Sequence, residues 1–141
     1  MIQSKIFLPI ITRNSINNPS NNRMNFATLT DDSPCDNVLL EYKLSLELLT
    51  RGLLNFVYPL IVGDLADDTG DYSDFFQEGC YPDCSDVVTV DAVEINLHEH
   101  LNRLCLGTPL VEDRSVRQTL AEITKRQGKL STRIRVYLSI I

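Results

Sequence analysis

Two cysteines and two histidines have the residue types of a zinc site. Three residues separate Cys80 from Cys84, and His98 and His100 lie in the next segment with helical periodicity. Four nitrogen or sulfur ligands form the tetrahedral shell of a structural zinc site. Residues two apart on a helix point about 200° away from each other, so these histidines cannot face one ion. The spacing therefore favours a chain without a bound metal, with both histidines on a solvated helix face.

Cys35 precedes a predicted helix, whose positive end could lower the pKa of the thiol. No histidine is close to it in the sequence to complete a nucleophilic pair. A structural or incidental cysteine is therefore favoured. The chain has no export signal and no Asn-x-Ser/Thr glycosylation motif, so its four cysteines are expected to be reduced.

The segment 63–86 is rich in carboxylates, and its acidic residues are Asp64, Asp67, Asp68, Asp71, Asp74, Glu78, Asp83 and Asp86. A calcium-binding EF-hand loop needs glycine at its sixth position. With Gly70 in that place, Leu65 and Phe76 occupy ligand positions, so the pattern fails. The composition predicts a solvated loop, with one turn of helix near Phe75–Phe76. The chain also lacks the glycine-rich phosphate-binding motifs and the Gly-x-Ser-x-Gly motif of hydrolases.

Two apolar runs, Ile6–Ile11 and Phe56–Val62, predict the strands that would position these residues. Uninterrupted apolar runs of this length are typical of strands buried on both faces, as in parallel sheets. Each run has a proline near its centre, Pro9 or Pro59, and such prolines usually occur at sheet edges or bulges.

Three helices are predicted, over 37–51, 90–104 and 115–128. The first can be capped by Asp36 or Asn37. Its apolar residues repeat at every fourth position, Leu40, Leu44 and Leu48, in a stripe widened by Leu39, Leu46, Leu49 and Leu53. The second has an apolar face of Val93, Leu97, Leu101 and Leu104 and ends before Gly107. The third begins with Ser-x-x-Gln, the spacing of a capping box. The stretch 13–36 is rich in asparagine and predicts a long loop.

Composition excludes several classes of protein. The 141 residues fit one domain, and 13 basic against 19 acidic residues give a net charge of −6, which disfavours nucleic-acid binding. The apolar runs are far shorter than the roughly 20 residues of a membrane-spanning helix. The N-terminal apolar run is too short for a secretory signal, so a cytoplasmic location is expected.

The order of segments resembles the second half of a TIR (Toll/interleukin-1 receptor) domain, and is most similar to intracellular TIR proteins of lower eukaryotes. The resemblance covers about residues 4–130, including the 13–36 loop, and leaves 131–141 as an unassigned tail. Its most specific part is a strand, a polar loop and a Leu-Leu-Glu helix in that order. The segments that carry it are 5–15, 33–48, 51–54, 57–64, 75–83, 94–101 and 110–128.

The resemblance implies an α/β, flavodoxin-like parallel sheet with flanking helices. In that fold Ile6–Ile11 is the third strand and Phe56–Val62 the fourth. The first two strands and their helices would precede Met1, so the domain is expected to be incomplete. A TIR pocket for a nucleotide is built partly from those missing elements.

Glu41 matches the glutamate with which TIR enzymes cleave the bond between nicotinamide and ribose of NAD. A carboxylate there would stabilise the positive charge that develops on the ribose. The resemblance thus implies two functions. The first is signalling through association with other TIR domains or with itself. The alternative is NAD hydrolysis by Glu41, with NAD as substrate, no resident cofactor and the rest of the site supplied by another chain. A third possibility is a truncated gene product without independent function.

Overall fold

The computed structural model describes residues 6–18, 20, 25–62, 82–107 and 109–126. The described part is an α/β arrangement of short parallel strands and helices. Its strands are β1 (Ile6–Phe7), β2 (Ile10–Thr12), β3 (Phe56–Val57) and β4 (Leu60–Val62). Its helices are α1 (Arg13–Ile16), α2 (Asn37–Thr50), α3 (Asp91–Arg103) and α4 (Val116–Thr124).

The two predicted strands pair in parallel, but each is divided in two. β1 pairs with β3 and β2 pairs with β4, and the gaps contain Pro9 and Pro59. Main-chain hydrogen bonds continue across the gap, from Tyr58 N to Phe7 O (2.9 Å) and from Leu60 N to Pro9 O (2.8 Å). The prolines therefore interrupt the strands without changing the alignment of the two chain segments.

Only one face of this strand pair is buried, so the prediction of burial on both faces was wrong. Ile11 and Val57 belong to the core, whereas Ile6, Leu8 and Ile10 are exposed. An apolar run without alternation does not indicate which of its residues face a partner layer.

α2 is the central helix, in contact with β3, α3 and α4. Asp36 caps it by accepting a hydrogen bond from Leu39 N (2.9 Å), and Gly52 follows its end with a φ of 72°, which confirms the predicted boundaries. The predicted apolar stripe of α2 faces the core. Leu39, Leu40 and Leu46 are buried, and the other leucines of the stripe are half-buried. Tyr42, which is outside the predicted stripe, is also buried, because α2 is packed on several sides.

α3 and α4 follow the predicted patterns in part. Leu104, predicted on the apolar face of α3, follows the last residue of the helix and is 50% exposed, and α4 ends at Thr124, short of the predicted 128. Val93, Leu97 and Leu101 of α3 are in the core, together with the apolar residues Val116, Leu120 and Ile123 of α4. The capping box of α4 is present: Gln118 N donates to Ser115 Oγ (3.1 Å), and Ser115 N donates to Gln118 Oε1 (2.9 Å). In the described part of the chain, no helix is long and apolar enough to cross a membrane.

The predicted loops are only partly described. Directly after β2, the short helix α1 occupies the start of the 13–36 stretch, and its capping box joins Thr12 and Ser15. Asn17 and Asn25 form an isolated antiparallel bridge further along the stretch. The turn of helix predicted near Phe75–Phe76 lies outside the described residues, as do most of the acidic segment and the 131–141 tail.

Candidate functional site

The most distinctive surface of the described residues is one side of the strand pair, here called the sheet face. It is formed by the even-numbered positions of the two segments 6–10 and 56–62. Six of its apolar side chains are exposed: Ile6, Leu8, Ile10, Phe56, Leu60 and Val62. Leu8 is 56% exposed and Ile10 is 62% exposed, so more than half of the surface of each residue is in contact with solvent.

The sheet face is also uncharged. Between Ile6 and Thr12, and between Phe56 and Val62, there is no Asp, Glu, Lys or Arg. The rings of Phe56 and Tyr58 stack with centroids 5.3 Å apart and an interplanar angle of 10°, which gives the face a flat aromatic corner. The opposite side of the strands packs on α2 in the core. The strand pair therefore has one covered and one uncovered apolar side.

Glu41, the residue implied by the TIR resemblance, is exposed in the second turn of α2. α2 ends shortly before β3 begins, so its first turns lie toward the carboxyl ends of the parallel strands. Ligands of open α/β sheets bind at that end. Glu41 lines neither the cavity that contains Thr119 nor the groove beside α4.

Tyr42, next to Glu41, is directed inward. Its ring meets that of Phe26 edge-on, at 6.3 Å between centroids and 78° between planes. Burial raises the pKa of Tyr42, and the charge of Glu41 raises it further. The Tyr42 hydroxyl makes no hydrogen bond to the described residues. The Ser15 hydroxyl, which donates to Thr12 O (2.8 Å), lies nearby and acts on the pKa of Tyr42 in the opposite direction to burial. The phenol therefore stays neutral and apolar in character.

Cys35 does not have the activated thiol that its position before a helix suggested. Its pKa is raised, first by burial and then by the negative charge of Asp36. Burial also raises the pKa of Asp36, against the lowering effect of the hydrogen bonds from Leu39 N and Val38 N. The carboxylate that caps α2 thus disfavours a thiolate beside it.

The cysteines and histidines that were weighed as zinc ligands are not assembled into a site in the described ranges. Cys80 lies outside them, and Cys84 is a buried free thiol whose pKa burial raises to about 11. His98 and His100 lie on α3 and are half-buried rather than fully solvated, and His100 Nδ1 is 2.8 Å from Asn96 O. Within those ranges no cluster of three His, Cys, Asp or Glu side chains could hold an ion.

A stripe of charged residues on α2 was not found from the sequence. Lys43 Nζ donates to Val88 O (2.9 Å) and to Glu94 Oε1 (2.5 Å), although Lys43 is only 8% exposed. Glu47, only 2% exposed, accepts hydrogen bonds from Arg51 Nε (2.7 Å) and Val111 N (3.0 Å). Charged residues at every fourth position of α2 could have indicated from the sequence that they share one face of the helix. Their hydrogen bonds link α2 to α3 and to the segment before α4, so this stripe has a structural role.

Three comparisons of the chain, with protein-family models, with curated proteins and with solved structures, give no match. The sheet face and the exposed Glu41 are therefore the two features from which a function can be argued.

Proposed function

We propose that the chain is an intracellular, cytoplasmic signalling module that acts by associating with TIR domains, and that it binds them through the sheet face. The observation that carries this proposal is the exposure of six apolar side chains on one uncharged surface. The largest contiguous apolar patch on a protein surface is often a binding site.

The proposed fold behind this function is an incomplete flavodoxin-like sheet. Two parallel strand segments joined through a helix support it, in the order that the TIR resemblance implies. Parallel sheets normally have helices on both faces. The uncovered sheet face is what such a sheet presents when the helices of one side are missing. A partner domain would cover it.

The test measures binding of the purified chain to purified TIR domains encoded in the same genome, by biolayer interferometry. The variants Ile10→Asp and Leu60→Asp place a carboxylate in the sheet face. Burying it at an interface is costly, so we expect affinity for a true partner to fall at least about 100-fold. Ile95→Asp is the matched control, because Ile95 is 69% exposed on α3, outside the sheet face.

Binding that is lost in both face variants and kept in Ile95→Asp supports the proposal. No binding to any TIR domain contradicts it. Binding that all three variants retain contradicts the use of the sheet face. Circular dichroism of each variant distinguishes lost contact from lost folding.

A second candidate function is hydrolysis of NAD to nicotinamide and ADP-ribose. It is favoured by the exposed carboxylate of Glu41 near the carboxyl ends of the strands, where it is free to meet a ligand. In this function Glu41 stabilises the charge that develops on the ribose, and another chain supplies the rest of the pocket.

Nicotinamide release by the full chain tests this second function. Glu41→Gln keeps the size of the side chain and removes its charge, and we expect the rate to fall by about 10²- to 10³-fold. Glu99→Gln is the control, because Glu99 is an exposed glutamate on α3 that pairs with Arg103. The assay is run on the chain alone and mixed with the TIR domain to which it binds, because another chain supplies the rest of the pocket. Equal rates in both variants would show that Glu41 is not catalytic, and absence of release from the folded chain with its partner present would contradict the function.

A further inference from the structure

The main-chain groups of the segment 6–10 face two different sides. Phe7 O and Pro9 O accept hydrogen bonds of 2.9 and 2.8 Å from the partner strand, so the main-chain groups of these two residues face that strand. The direction of the main-chain groups alternates along a strand. The N–H and C=O groups of the residues between them therefore face outward, and these residues, Ile6, Leu8 and Ile10, are here called the Leu8 edge.

The Leu8 edge is suited to pairing with a further strand. Each of its residues has both a donor and an acceptor, whereas the opposite edge of the strand pair includes Pro59 and lacks a donor there. The edge ends at Thr12, whose N–H already donates to Ser15 Oγ (3.0 Å). Within the described residues each sheet has only two strands, so none of these strands pairs with the Leu8 edge. A row of donors and acceptors at such an edge is a template for another strand.

The core is incomplete beside this edge. Pro9 and Ile11, on the side of the strand that faces α2, are buried. Phe7 is on the same side and packs against the core, yet it is only half-buried. A third strand along the Leu8 edge would place a side chain beside Phe7. The strand that fits is therefore apolar on the side that faces α2 and polar on the other side.

The sequence of the 131–141 tail has this alternation. Its even-numbered positions are Thr132, Ile134, Val136, Leu138 and Ile140, and its odd-numbered positions up to 139 are Ser131, Arg133, Arg135, Tyr137 and Ser139. Alternation of this kind is typical of a strand that is covered on one face. The tail contains no glycine or proline, and the Leu8 edge spans only about 13 Å, so the tail is long enough to follow it.

We propose that the 131–141 tail adds a third strand to the sheet along the Leu8 edge, with its even-numbered side chains toward α2. The inference goes beyond the proposed function and uses a different surface, because pairing at the edge leaves the sheet face open to a partner. The tail belongs to the same chain, so its effective concentration at the edge is on the order of 1 mM, which favours it over a strand from another protein. It also has two arginines and no acidic residue in a chain of net charge −6, so it is attracted to the rest of the chain.

Amide hydrogen exchange of the full chain, measured by nuclear magnetic resonance, tests the inference. We expect every second amide of the tail to exchange at least about 100-fold more slowly than in an unstructured peptide. Leu8→Pro removes the outward N–H of the edge and no hydrogen bond within the strand pair, so this protection should fall at least about 10-fold. Leu8→Ala is the matched control, because it removes the same side chain and keeps the N–H.

A second pair of variants does not alter the described strands. Val136→Lys places an ammonium group on the side of the tail that faces α2, where burial is costly, so the protection of the tail should be lost. Tyr137→Lys makes the same change on the opposite side and should keep the protection. This pair also decides the question if Leu8→Pro fails to fold.

Nuclear Overhauser effects between main-chain protons of Leu8 and the tail identify the paired edge, and a mixture of labelled and unlabelled chains distinguishes contacts within one chain from contacts between copies. A tail that exchanges like an unstructured peptide overturns the inference, as do contacts with another surface or only between copies. Equal protection in Leu8→Pro and Leu8→Ala, or in Val136→Lys and Tyr137→Lys, overturns it too.

The two proposals fail separately, because this test needs no TIR partner. A chain that binds a TIR domain through the sheet face but has an unprotected tail overturns the third strand and leaves the proposed function standing. A protected tail paired with the Leu8 edge, in a chain that binds no TIR domain, confirms the third strand and contradicts the proposed function.

Discussion

Pro9 and Pro59 lie opposite each other in the parallel strand pair. Ile6 pairs with Phe56 and Thr12 pairs with Val62, and the same alignment holds on both sides of the prolines. The two prolines nevertheless have different consequences. Pro9 O accepts a hydrogen bond from Leu60 N, so its ring nitrogen also faces the partner strand and a donor is missing there. The amides on either side of Pro59 both face the partner strand, so the nitrogen of Pro59 points to the outer edge.

Replacing each proline by valine should therefore give opposite results in amide hydrogen exchange. In Pro9→Val the new N–H faces Tyr58 O and completes the interrupted ladder, so we expect it to be protected. In Pro59→Val the new N–H faces away from the only strand that pairs with it in the described residues, so we expect fast exchange. Nuclear magnetic resonance measures the exchange rate of the new amide in each variant. A protected amide at position 59, which is buried, would show that another part of the structure covers this edge.

Cys105 occupies a backbone conformation that favours glycine. Its φ is 57°, and it follows α3 in a Schellman motif, with Leu106 N bonded to Leu101 O (3.0 Å) and Cys105 N to Asn102 O (2.9 Å). Gly52 has the same place after α2, with a φ of 72°. We expect Cys105→Gly to raise the free energy of unfolding by about 1 kcal/mol in urea denaturation.

Two controls separate this effect from the loss of the thiol. Alanine, like cysteine, is strained in the left-handed backbone conformation, so Cys105→Ala should not raise the free energy of unfolding. Gly52→Ala should lower stability by about 1 kcal/mol through the backbone alone, because a Cβ built there has no atom within 4 Å. A stabilising effect of Cys105→Ala equal to that of glycine would contradict the strain argument.

Local interactions were predictable from the sequence, and long-range ones were not. The capping residues Asp36 and Ser115 act on amides three residues away, so a short motif was enough to place the starts of α2 and α4. The burial of Glu47 depends on Val111, which is 64 residues away, and no local pattern contains that contact. The sheet face was not predicted either. The run Ile6–Ile11 is apolar at every position, so its sequence does not distinguish the exposed side of the strand from the buried side. Glu41 is exposed in the second turn of α2, and its proposed role comes from the TIR resemblance alone.

Thr119 has a buried hydroxyl whose removal we expect to stabilise the protein. The residue is 0% exposed, and its Oγ1 has no hydrogen-bond partner in the described part of the chain. It lines a cavity of about 10 Å³ beside Lys43 and Glu47. Valine has the same shape without the hydroxyl, so we expect Thr119→Val to raise the free energy of unfolding by about 1 kcal/mol.

The matched control for this change is Thr124→Val in the same helix. The Thr124 hydroxyl donates to Leu120 O (2.9 Å), so its removal should bring no gain. Urea denaturation of both variants gives the comparison. A loss of stability in Thr119→Val would contradict the prediction, because it would show that the hydroxyl is hydrogen-bonded in solution.

Cys84 should make the protein less stable in alkaline solution. Burial is the main cause that raises its pKa from the ordinary 9.0 to about 11, although the charge of Arg117 acts in the opposite direction. The folded state therefore holds the thiol proton more tightly than the unfolded chain does. Stability from this group is fully present below pH 9 and is lost as the pH rises through about 11.

The measurement is the free energy of unfolding as a function of pH, in the wild-type chain and in Cys84→Ala. Removal of the buried side chain lowers stability at every pH, so the informative quantity is the slope. Between pH 9 and 11 the wild-type curve should fall more steeply than that of Cys84→Ala, because only the wild-type chain loses this proton on unfolding. Cys105→Ala removes an exposed thiol and should keep the steeper slope. Parallel curves for the wild type and Cys84→Ala would mean that the Cys84 thiol titrates alike in the folded and unfolded chain.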